Sequence, residues 1–139
     1  MKLIVSALAA LVCAFTVSTA YAACDELVGP HVDWSGRDKS DADLFEGDLE
    51  FAKLIDANLS NALLTQANLF EANLSAAVLE STNLTNANLT GARLLEADLT
   101  RANLSGAKLI ETDLTGAILT RVTWTDGRIC AEGSIGECK

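Results

Sequence analysis

The 139-residue chain has a single proline, a single histidine and a single methionine, and only 5% of its residues are aromatic. The one histidine, His31, stands beside the sole proline, Pro30, with no cysteine or serine motif around it. A Ser-His-Asp triad or a zinc site needs more partners than this, so the sequence supplies no catalytic set, no metal ligands and no cofactor site. Basic residues are scarce as well: ten Lys and Arg against nineteen Asp and Glu give a formal net charge of −9. Phosphate contacts are made by Lys and Arg, which argues against a nucleic-acid partner. The longest apolar run, Leu3 to Val17, is shorter than the roughly 20 residues that span a bilayer, so no membrane span is expected.

That run reads instead as part of an export signal. Lys2 precedes it, and Ala20-Tyr21-Ala22 follows in the small-x-small pattern of a signal-peptidase site. Residues 1–22 are therefore expected to form a cleavable signal helix, with a mature terminus at Ala23 and a periplasmic or secreted location. An alternative route uses Cys24, because Ala22-Ala23-Cys24 resembles the end of a lipoprotein signal and would leave the protein lipid-anchored in the cell envelope; Tyr21 stands where such signals carry an aliphatic residue. Removing Cys13 with the signal leaves Cys24, Cys130 and Cys138, an odd number. Cys130 and Cys138 lie eight apart in "CAEGSIGEC" and are the expected disulfide in an oxidising compartment.

Charge is unevenly spread. Residues 25–56 hold ten acids and three bases, and the richest stretch, "DKSDADLFEGDLE", runs from Asp38 to Glu50. Its spacing does not match a calcium-hand loop, which needs oxygen ligands at alternate positions and a late glutamate. A solvated, aggregation-resistant end is the expected role, with a cation site or a patch for a basic partner as the alternative.

What the sequence has in abundance is leucine at every fifth position. From Leu44 to Leu119 sixteen consecutive positions are leucine, and two residues before each stands alanine, glycine or threonine. A five-residue step rotates by about 140° around an α-helix, scattering the leucines, and in a flat strand it sends them alternately to opposite faces. The chain must instead coil, turning once per unit of the form A-(D/N)-L-(S/T)-x. The small residue and the leucine face the axis, the other three face out, and alanine at the corner lets the backbone bend close to the core.

These units resemble the pentapeptide-repeat family, and the resemblance covers residues 32–131. It implies an all-β, right-handed quadrilateral β-helix with four pentapeptides per coil, about five coils in all. Residues 23–31 would form a lead-in and residues 132–139 a C-terminal tail. Arg37 and Lys39 break the pattern at inward positions, so the first coil is expected to be incomplete. A longer period supports four units per coil. Lys53, Ile55, Asp56, Phe70, Glu71 and Val78 correspond, forty residues on, to Arg93, Leu95, Glu96, Ile110, Glu111 and Ile118. Forty is a whole number of twenty-residue coils. Unpaired coil edges invite stacking on another molecule, so self-association through the ends is the alternative to their closure; Pro30, Trp34, Trp124 and the cysteine-bearing tail are the expected closures.

Five N-x-S/T triplets begin at Asn58, Asn73, Asn83, Asn88 and Asn103. The repeat itself places Asn and Ser/Thr at this spacing, so the triplets do not argue for glycosylation. The outward apolar positions Ile55, Phe70, Leu95 and Ile110 are candidates for an interaction face. The expected function is a non-catalytic exported scaffold or protein-interaction module with an unidentified protein partner. The alternative follows from the resemblance: some members are acidic, DNA-like rods that block DNA gyrase, a role that the export signal opposes.

Overall fold

The computed structural model describes residues 28–139. The expected signal segment, the start of the lead-in and Cys24 lie outside the described residues. Among those residues none is helical, and each pentapeptide contributes one bridging residue followed by a tight corner. The bridges are parallel and join residues twenty apart, in an unbroken series from Asp33↔Lys53 to Asn103↔Thr123. One complete coil therefore takes four pentapeptides, and the rung residues align into four faces.

The hydrogen bonds show why the unit is five residues long. Around Asn88, its own amide donates to Ala67 O at 2.9 Å in the preceding coil, and the amide of Leu89 donates to Lys108 O at 2.9 Å in the next. The chain then turns, and the amide of Ala92 closes the corner on Leu89 O at 2.9 Å. The third residue of each such corner up to Arg121 is left-handed, as in Gly91 (φ 68°), Glu96 (φ 57°) and Arg101 (φ 62°), which is the type II turn pattern. The bend thus lies at the last two residues of the unit, and alanine closes the corner instead of forming it. Among the described residues fifteen other than glycine hold this conformation, each at a cost of about 1–2 kcal/mol in backbone strain. Each left-handed amide of the inner coils is tied to the next coil, Glu96 N to Thr115 O at 2.9 Å for example, so the ladder offsets the strain where it arises.

Leucine and alanine fill the axis. Fourteen of the sixteen repeat leucines are buried, most of them completely, with the small residues from Ala52 to Ala102 packed between them. Thr82 replaces alanine in this core, and its hydroxyl donates to Leu59 O at 2.8 Å in the preceding coil; Thr112 does the same to Leu89 O at 2.7 Å. Thr82→Val keeps the volume but removes the bond. Urea unfolding should show a loss of about 1 kcal/mol, and an unchanged midpoint would mean that the hydroxyl is not engaged.

The ends depart from expectation in three ways. The N-terminal coil is complete in its backbone: Asp38 bridges Asn58, and Lys39 N donates to Asn58 O at 2.7 Å. Arg37 avoids the core by turning outward, while Lys39 lays its ammonium over the buried Trp34 ring, 4.6 Å from the centroid, where a cation is attracted to the π face. Pro30 is exposed, and Val28 packs against the core at this end instead. At the C-terminal end the tail folds back in antiparallel bridges, Thr123↔Ile129 and Ile118↔Ile135, and the Cys130–Cys138 disulfide closes the loop with Cα atoms 4.9 Å apart. Arg121 and Glu132 pin it further at 2.6 Å. The tail covers only half of the last coil, which leaves Leu109 and Leu114 partly exposed.

Candidate interaction surface

The rung residues give each face its charge. On one face the ladder reads Asp33, Lys53, Asn73, Arg93, Asp113. Lys53 pairs with Asp33 at 3.6 Å, and Arg93 acts on Asp113. This ladder is self-neutralised, unlike the neighbouring Asp38, Asn58, Val78, Asp98, Ile118 ladder.

The four apolar candidates flank the neutral face on both sides. Ile55 and Leu95 lie in the corner column after it, two rungs apart with Ser75 between; Phe70 and Ile110 lie in the corner column before it, two rungs apart with Thr90 between. Ile110 is the most open of the four, at 63% exposure, and the other three are half-buried. Phe70 meets Phe51 edge-on at 5.7 Å, and His31 stacks on Phe51 at 5.0 Å. His31 and Phe51 were not legible as part of this surface, because they occupy the variable last position of the unit. Only the twenty-residue stacking distance would have brought them together. The exposed Phe45, Leu63, Val78 and Ile118 belong to the other faces and corners.

The acidic stretch forms an edge. Asp33, Asp38, Asp43 and Asp48 are the rung residues of the N-terminal coil, one on each face, so any strand adding to that end meets a charge in every position. Several of these carboxylates cap their own corners. A hydrogen bond from Ser35 lowers the pKa of Asp33 from its ordinary 3.8, the Ser40 amide does so for Asp38, and Thr115 does so for Asp113. A depressed carboxylate pKa adds stability above the unfolded value, and that stability is lost as pH falls through the folded one. The melting temperature should therefore be flat above about pH 5 and fall on acidification below about pH 4. A melting temperature that rises on acidification would contradict these assignments. Among the described residues no group of three or more His, Cys, Asp or Glu is placed to hold a metal ion.

The N-x-S/T triplets are engaged in the same corner chemistry. Asn58 Oδ1 accepts both the amide of Ser60 at 3.1 Å and its hydroxyl at 2.7 Å, and the arrangement recurs at Asn73, Asn83 and Asn103. At Asn88 the side-chain amide also donates to Asn68 at 3.1 Å, one rung back. The triplet is thus a structural product of the repeat.

Comparison with curated proteins finds no match. Among solved structures the chain is similar to a pentapeptide repeat protein of the Arabidopsis thaliana thylakoid lumen, at 27% identity over 76% of this chain and 82% of that one, with a TM-score of 0.35. It is also similar to QnrB1, a plasmid-mediated fluoroquinolone resistance protein, at 21% identity over 76% and 61% of the two chains, TM-score 0.48. A third is the pentapeptide repeat protein Rfr23 of the cyanobacterium Cyanothece 51142, at 37% identity over 62% and 58%, TM-score 0.31. The profile of pentapeptide repeats matches eight copies, over residues 42–80 and 82–121. With more than half of its length so matched, and with a coil closing every four units, the chain belongs to the pentapeptide repeat family, whose fold is the right-handed quadrilateral β-helix.

Proposed function

We propose that this protein is a non-catalytic interaction module of about five coils, exported behind a cleaved signal peptide, that presents the face flanked by Ile55, Leu95, Phe70 and Ile110 to a protein partner. One observation carries the reading: the apolar outward residues of two separate corner columns border the same self-neutralised ladder. A rigid face of this kind supplies binding area with no ordering cost, which is the use to which repeat solenoids put their surfaces.

A photo-crosslinking residue at position 110 tests it. In envelope extracts a crosslink to one defined protein, absent when the same residue replaces Thr100 on the diagonally opposite corner, is the expected result. Equal labelling from both positions would remove the face assignment. Export has its own test. N-terminal sequencing of the abundant cellular form should begin at Ala23. An intact Met1 in a cytoplasmic fraction would overturn export and favour the gyrase-directed alternative, whereas a lipid-bearing Cys24 would establish envelope anchoring.

A further inference from the structure

The same arrangement of outward residues occurs twice on this surface. In one corner column Phe70-Glu71 and Ile110-Glu111 stand two rungs apart with Thr90-Gly91 between them; in the other, Ile55-Asp56 and Leu95-Glu96 enclose Ser75-Ala76. Rungs repeat at about 4.8 Å, so each pair of bulky walls is separated by about 10 Å over a floor of small residues. Gly91 leaves no Cβ at the floor of the first notch, and the Glu71 side chain leans across it, with Cγ only 3.0 Å from where that Cβ would be. Among the described residues neither Glu71 nor Glu111 is ion-paired, and both are exposed.

We propose that these two notches are sockets for arginine or lysine side chains of a basic segment on the partner protein. The chemistry matches part by part. An aliphatic stem lies between the apolar walls, and the cationic head reaches the carboxylates at their outer edges. Phe70 makes one wall of the first socket aromatic. The cations on the ladder between the notches, Lys53 and Arg93, are already matched by Asp33 and Asp113, which leaves the notch carboxylates to a partner, and the chain as a whole carries a formal −9. An anionic or purely apolar partner would leave both carboxylate pairs desolvated and unmatched.

This inference rests on the proposed interaction role, and its test separates the two. The probe is a ten-residue peptide of alternating Arg and Val, titrated into the full chain, with Glu-Val and Gln-Val peptides as comparators. Ser75→Phe and Thr90→Phe fill the notches without changing net charge, and the fold accepts the residue because Phe45 and Phe70 hold the equivalent corner position. The Arg-Val peptide should bind and shift the amide signals of Gly91 and Ala76, and the doubly filled variant should bind it at least tenfold more weakly while still melting cooperatively, with only the small loss expected from the Ser75 hydroxyl bond to Asn73. Asp126→Asn, which removes a charge away from both notches, should leave binding within twofold. Equal binding of the Arg-Val peptide to the filled variant would reduce the effect to net charge and overturn the sockets. Tighter binding of the Gln-Val or Glu-Val peptide would overturn the cationic partner. If the position-110 crosslink persists in either case, the interaction role survives and only the partner's chemistry is refuted.

Discussion

Leu94→Asp should abolish cooperative unfolding near the wild-type melting temperature, whereas Leu95→Asp, one residue along, should cost less than about 1 kcal/mol. Leu94 is 1% exposed on the leucine axis, where a carboxylate would be buried with no partner at a cost of several kcal/mol. Leu95 has equal hydrophobicity but sits half-buried at a corner position that serine and threonine fill in the coils on either side, at Ser75 and Thr115. The contrast between neighbours is the signature of a chain that turns once per pentapeptide. Thermal melts of both variants followed by circular dichroism decide it, and comparable losses would contradict the assignment of inward and outward positions.

The second large effect is at the C-terminal closure. Replacing both Cys130 and Cys138 with alanine frees a loop whose chain-entropy contribution is about 2–3 kcal/mol. The loss reaches beyond the loop, because the amide of Leu119 donates to Ser134 O at 2.8 Å and that of Cys130 to Val122 O at 2.9 Å. Releasing the tail uncovers the last buried residues of the axis, Leu119 and Val122, and a row of backbone donors ready to pair with another chain. The double variant should therefore melt lower, exchange the Leu119 and Gly136 amides faster, and show concentration-dependent association. Unchanged stability and exchange would mean that the tail holds by its hydrogen bonds alone.

The axis was legible because leucine at the third position and a small residue at the first have no other arrangement that buries both. The face count was legible for a different reason: the forty-residue correspondence of Ile55 with Leu95 and of Phe70 with Ile110 leaves few coil lengths. The corner was not. Type II corners usually announce themselves with glycine or asparagine at the third position, and here that position holds Glu46, Phe51, Gln66 and Arg101 as readily as Gly91 or Gly106. The left-handed backbone is imposed by the ladder above and below, a tertiary effect that local composition does not record. The N-terminal coil misled for a related reason. Arg37 and Lys39 violate the inward pattern, yet backbone pairing with Asn58 is indifferent to side-chain identity, and the long side chains escape outward or over Trp34. The open corner at Leu109 and Leu114 depends on where the tail folds back, which no repeat encodes.

The most direct measurement is a nuclear Overhauser spectrum of the isotopically labelled protein. The ladder requires contacts between backbone protons of residues twenty apart, Asn73 with Arg93 and Arg93 with Asp113 on one face, Asn68 with Asn88 and Asn88 with Lys108 on another. Such cross-peaks, repeated along the chain and centred on that separation with the flanking nineteen- and twenty-one-residue contacts of the rung hydrogen bonds, are the predicted result. An uninterrupted run of helical contacts between residues three and four apart, or a cross-strand series between Lys53 and Asp113 centred on a separation other than twenty, would contradict the coil on which every functional inference depends.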